Sequence, residues 1–300
     1  MIPIQTKQTM NRKNNLPPFI AKKPDDDRIM RGGPIMPNAA LQAHYAHALL
    51  NLCAQMIDQT EREIKKLYKT ETAQEFYAQD ASFSIQAKIL TNSLLKRFEL
   101  LFGKKAKILA LEMVDNANKT SFGNVKSSIQ QLTDTISLSP DHIPQNIRDI
   151  MSASVTNNVG LIKSIQSQYH TQIQSAVMRS ILEGRGLHEL LPEIQKLGQT
   201  SAKRAKLIAR DQTRKAYNAL SYARMKNLNV REFEWRHSHG DKEPRPLHLA
   251  MNGKIYSFDD PPVIQYAEGG KPEIRGLPGD LINCTCFAVP VIKFQTNRED

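Results

Sequence analysis

Apolar residues recur at three- and four-residue steps through most of the first two thirds of the chain. Leu41, Tyr45, Leu49, Cys53 and Met56 follow Asn38, whose side chain can accept backbone N–H bonds and start a helix. Glu61, Glu63, Lys65 and Lys66 decorate its later turns. A second helical stretch is predicted from about Ala73 to Phe102, with Phe76, Phe83, Ile85, Ile89, Leu94, Leu95 and Phe98 at apolar positions and Gly103 as its stop. Lys107 to Ala117 reads as a short helix. Gln130 to Leu138 and Pro144 to Leu182 read as further helix, separated by Pro140 and Pro144, and Gly184 and Gly186 end the long one. His188 to Leu197 gives one more short helix, closed by Gly198. No strict heptad and no internal repeat runs through this region, so a long coiled coil is not expected.

The pattern changes after residue 200. From Thr200 or Ser201 a helix places Ala205, Ile208, Ala209, Ala216, Leu220 and Ala223 on one side. Lys203, Lys206, Arg210, Arg214 and Arg224 fall on the other. Val230 to His237 then alternates, with Arg231, Phe233 and Trp235 on one face and Glu232, Glu234 and Arg236 on the other, the signature of a half-buried strand. Trp235, the single tryptophan, is expected to anchor a core. Asn252-Gly253 marks a hairpin or a helix-to-strand corner, and Asp260-Pro261-Pro262 ends the strand that follows. Phe287 to Phe294 is a final apolar strand, placed at a sheet edge because Pro290 lacks a donor. The expected class is α+β: a mainly helical N-terminal region, then a small α+β C-terminal domain with short antiparallel strands. The expected divisions are a Pro-rich, extended or disordered tail at 1–37, a helical domain at 38–199, an α+β domain at 200–294 and a polar tail at 295–300.

Composition narrows the class. Three hundred residues fit two domains, and 40% hydrophobic residues with 6% aromatic ones suffice for a core that is not spread evenly. No apolar run approaches the roughly 18 residues that span a bilayer, and the first residues lack the apolar centre of a secretory signal. A soluble intracellular protein with no membrane partner is expected. Three cysteines, an odd number, suit a reducing compartment. The net charge of +11 favours anionic partners, and residues 201–231 hold nine Lys or Arg against one acid, Asp211. Lys203, Lys206, Arg210, Arg214 and Arg224 are therefore candidates for contact with DNA phosphates or an acidic surface. No aromatics interleave with them, so such contact would ignore base sequence.

Asp241, Arg245 and His248 fall within eight residues. In an enzyme, a nuclease or transferase for instance, they would serve as acid, anion clamp and base. No nucleophile accompanies them, and the expectation is no catalysis: an Asp241–Arg245 ion pair pins the loop and His248 bonds backbone at the start of a short helix. Cys284-Thr285-Cys286 admits three readings: two buried thiols, a metal site or a redox pair. Buried thiols without a cofactor are the expectation. In the zinc alternative, which would make a zinc-dependent nucleic-acid-binding module, Cys284, Cys286 and His248 are the candidate ligands, with His237 and His239 nearby.

The order of these pieces resembles the C-terminal domain of phage minor head proteins, the head-morphogenesis family typified by the F protein of phage Mu. The matching residues are the run Ile208-Ala209-Arg210-Asp211-Gln212-Thr213, then Trp235, Asp241, Arg245, His248, Gly253, Cys284, Cys286 and Pro290. The likeness spans roughly residues 160–292. The family pattern most often has Arg between the cysteines, where this chain has Thr285. The resemblance implies a structural minor head protein of a tailed phage, made in the bacterial cytoplasm and carried in the virion, in the capsid interior or at the portal vertex. It also implies portal and other capsid proteins as partners, a part in head assembly or DNA packaging, contact with phage DNA, and self-association within the assembly.

Overall fold

The computed structural model describes residues 29–70, 81–132, 143–238, 243–267, 269 and 272–293. Four long helices form the body: α1 (Ala39–Thr70), α2 (Ala81–Gln130), α3 (Gln145–Leu182) and α4 (Leu187–Asn227). Helices α2, α3 and α4 pack on one another, and α1 lies against α4 and α2. Asn38 opens α1 as its side chain suggested, with Oδ1 accepting the Ala40 N–H at 2.5 Å. Pro144 precedes α3, and Gly184 follows it with φ +65°, the left-handed conformation that suits glycine past a helix end.

Two glycines expected to stop helices do not. Helix α2 runs straight through Gly103, joining stretches that the sequence separated. Glycine costs a helix interior about 1 kcal/mol relative to alanine. Phe98, Phe102, Ala106 and Ala110, all buried, carry the apolar face across it at four-residue steps. Burying one large apolar side chain contributes about 1.5–3 kcal/mol, so packing outweighs the local preference. Helix α4 likewise passes through Gly198, where a Cβ would come within 3.0 Å of Ile57 on α1. That glycine permits close helix approach. The boundary drawn at 199/200 therefore falls inside one helix.

The remaining elements are β2 (Glu232–Arg236), α5 (Pro246–Met251), β3 (Ile255–Ser257), β4 (Val263–Gln265), β5 (Ile274–Arg275) and β6 (Phe287–Lys293). They are joined by β1 (Ile29–Arg31), which precedes the bundle. The main sheet is antiparallel with order β1-β6-β2-β3, and β4 and β5 form a separate pair. Residues 29–37 are thus not a tail apart from the fold. Arg31 pairs with Val291, and fully buried Ile35 bridges Ala288. Residues 1–28 and 294–300 lie outside the described part.

The position of Pro290 is a second correction. Strand β6 is interior, flanked by β1 and β2. The Pro290 carbonyl accepts the Gly32 N–H at 3.0 Å, so its missing donor faces the side where β1 ends at Arg31. In an antiparallel strand the N–H and C=O of one residue point the same way, and proline is tolerated where the neighbouring ladder stops. The sequence suggested an edge because the strand covering that side comes from the presumed tail. Helices and sheet share one core, in which Phe233 and Trp235 are fully buried.

Candidate functional site

Helix α4 does not display its cations as one stripe. Lys203, Lys206 and Arg210 are exposed. Arg214 is half-buried and donates to the Cys284 carbonyl at 2.8 Å. Arg224 is 7% exposed. It donates to Ser121 Oγ at 2.8 Å and to Asn118 Oδ1, both on α2. The helical wheel placed all five together, but α4 is crossed by different neighbours along its length. Its C-terminal half packs on α2, which turns the last arginine inward. Burial lowers the Arg224 pKa to about 10, so it stays charged at neutral pH.

The second constellation lies where α5 meets the turn before β6. The Gly253 N–H donates to the Trp235 carbonyl at 2.8 Å with φ +81°, a left-handed corner between α5 and β3. Asn252 Oδ1 accepts the His237 N–H at 2.9 Å. Helix α5 thereby carries His248 into the core, where the Trp235 ring meets it edge-on at 5.1 Å. His248 Nε2 faces the Ile264 carbonyl at 3.1 Å. A carbonyl only accepts, so Nε2 carries a proton there, and in the tautomer with that proton alone Nδ1 keeps a lone pair. Nδ1 points at two sulfurs, Cys284 Sγ at 3.4 Å and Cys286 Sγ at 3.6 Å.

All three side chains are 2% exposed. The Cys284 thiol is pushed well below the ordinary thiol range by hydrogen bonding with Cys286 and then with His248, against the opposing effect of burial. The turn is held from several sides. Arg214 and Arg245 donate to the carbonyls of Cys284 and Ile282, at 2.8 and 2.9 Å. Arg210 donates to Asn283 Oδ1, and Asn283 itself has φ +63°. Ser238 and Thr285 join their hydroxyls at 2.6 Å. Thr285 thus has a role of its own between the cysteines.

Sequence reasoning placed Trp235, His248, Gly253, Cys284 and Cys286 in one domain, and the structure brings them into one cluster. Arg245 serves the 282 carbonyl. The expected partner Asp241, like His239, lies outside the described residues. His237 is buried but stands outside the set whose ligand atoms converge. Arg210 and Arg214 were missed in that role because their α4 spacing read as a displayed surface, and Arg245 because it read as the partner of Asp241.

Residues 171–289 match the family model described as Phage Mu protein F like protein. The C-terminal part of the chain carries a phage Mu protein F-like domain. This Mu F-like domain takes in the last third of α3, all of α4, and the sheet as far as the start of β6. It leaves out β1, α1 and α2. A Haemophilus influenzae protein described as uncharacterized is 27% identical over 280 residues, covering 93% of this chain, so the likeness reaches into the helical bundle. The chain spans 59% of that relative's length. No solved structure matches. The Mu F-like family suggests a phage head-morphogenesis protein with a structural role in the virion.

Proposed function

We propose that the chain is a minor head protein of a tailed phage that acts in head morphogenesis at or near the portal. The observation that carries this reading is the Mu F-like match over residues 171–289. The fold supports it with a body suited to assembly. Helix α2, fifty residues long, extends about 75 Å at the usual rise of about 1.5 Å per residue. It leaves Ile85, Ile89, Leu100, Ile108 and Leu111 exposed, apolar area that portal, capsid or sister subunits can cover. Among the described residues no helix is long and apolar enough to cross a membrane.

Packaged DNA is a further partner, met without sequence preference by exposed Lys203, Lys206 and Arg210. An enzyme using Asp241, Arg245 and His248 has less behind it. Arg245 is engaged with a backbone carbonyl, and His248 is buried against two sulfurs instead of facing a cleft.

A phage encoding the chain supplies the test. A nonsense mutation in the gene should lower the yield of filled heads, and supplying the protein in trans should restore it. Mass spectrometry of purified wild-type heads should find the protein alongside the portal. Normal heads with a full genome content that lack the protein would overturn the proposal.

A further inference from the structure

We propose that Cys284, Cys286 and His248 bind one zinc ion, which clamps the turn before β6 to α5. The inference is independent of the head role. The three ligand atoms all lie within 4.8 Å of one another. With Zn–S at about 2.3 Å and Zn–N at about 2.05 Å, a tetrahedral angle puts sulfur and nitrogen about 3.6 Å apart. The observed separations of 3.4 and 3.6 Å match that edge. One Nδ1 lone pair can accept from one thiol at a time, whereas a cation at the centre serves both sulfurs and the nitrogen together.

The surroundings suit a metal in three further ways. His248 donates Nε2–H to the Ile264 carbonyl, the outer bond that fixes a ligating histidine in the right tautomer. A divalent ion held by two thiolates makes a set with no net charge, which a buried position accommodates. Arg214, Arg245 and the Ser238–Thr285 bond hold the turn that presents the sulfurs, so the ligands are positioned from outside. Two sulfurs and an imidazole favour a borderline-soft ion over calcium or magnesium, which take oxygen. Among the described residues no fourth His, Cys, Asp or Glu joins the set.

The test uses the full chain, tag-free and purified without chelator. Elemental analysis should find one zinc per chain. His248→Gln and Cys286→Ser should each lower that at least tenfold, and Cys53→Ser, on α1, should leave it unchanged. Variants can misfold, so the wild-type protein is also stripped and reloaded with cobalt(II). Thiolate-to-cobalt charge transfer together with strong four-coordinate d–d bands is the expected signature. The proposal is overturned by wild-type protein that takes up neither zinc nor cobalt at one equivalent. It is overturned equally by stoichiometric copper(I) in place of zinc, or by zinc that survives in both variants.

Discussion

Arg31 donates from Nε to Glu234 Oε2 at 2.5 Å, joining a residue ahead of the helical bundle to β2, an inner strand of the main sheet. Glu234 is nearly fully buried and also accepts from Arg236 at 2.5 Å, while both arginines keep one side in water. Replacing Glu234 with Ala frees two cations that can hydrate, so the expected loss is about 1–2 kcal/mol, less than for an isolated buried pair. Urea denaturation measures it. Hydrogen exchange should show the amides of β1 losing protection before those of α3. Uniform loss in all elements would mean that the carboxylate does not tie this strand.

Arg224→Ala should destabilise the chain by about 2–4 kcal/mol, because Ser121 and Asn118 lose a charged partner within the core. Lys203→Ala and Lys206→Ala, at exposed positions on the same helix, should each change stability by less than about 0.5 kcal/mol. Thermal melts of the three variants distinguish a working internal arginine from a displayed one.

DNA affinity should follow the exposed cations alone. Lys203→Glu combined with Lys206→Glu should weaken binding to any duplex. It should also flatten the plot of log affinity against log salt by about 0.9 for each phosphate that is no longer neutralised. Fluorescence anisotropy at several salt concentrations reads both. A slope unchanged by the double substitution would move the DNA-facing surface off α4.

Gly279 has φ +90°, and an added Cβ would overlap the side-chain amide of Asn218. That amide and the Tyr222 hydroxyl both donate to the Pro278 carbonyl, at 2.9 and 2.7 Å. Gly279→Ala should therefore combine backbone strain of about 1–3 kcal/mol with a broken anchor between α4 and the turn. A melting temperature within about a degree of wild type would contradict this.

His170 is buried, and burial lowers its pKa below the ordinary 6.5, partly opposed by Glu99. The folded state then holds fewer protons than the unfolded one. Stability is full above about pH 6.5 and falls as pH drops below the unfolded value. His170→Phe should flatten that part of the profile. Chemical denaturation at pH 5, 6 and 7.5 checks it.

Much of the architecture was legible because the helical period is strong: Asn38, Pro144 and Gly184 mark real helix ends. Gly103 and Gly198 misled because local preference is weaker than the packing carried across them. Strand β1 was hidden by its short length and by the prolines on either side of it, Pro24 and Pro34, since only the distant β6 gives those residues a reason to be extended. The cluster was half legible. Cys-Thr-Cys and His248 are readable as metal-type residues, but their convergence depends on α5 turning at Gly253. The bracing by Arg214 and Arg245 could not be read from spacing, because these side chains bond to carbonyls, and every residue carries one.

The pairing of β1 with β6 also governs when the fold can be finished. Ribosomes make a chain from its N-terminus, so β1 emerges long before its partner β6. The helical bundle can collapse while synthesis proceeds, but Ile29–Arg31 must wait unpaired until β6 appears. Such long-range pairing is slow, because a large loop has to close before the pairing is rewarded. The waiting strand is an open edge meanwhile, able to pair with another chain. A fragment running from Gln145 to Lys293, without Ile29 to Ile35, would keep β6 open on that side permanently. It should dimerise or aggregate where the whole chain does not.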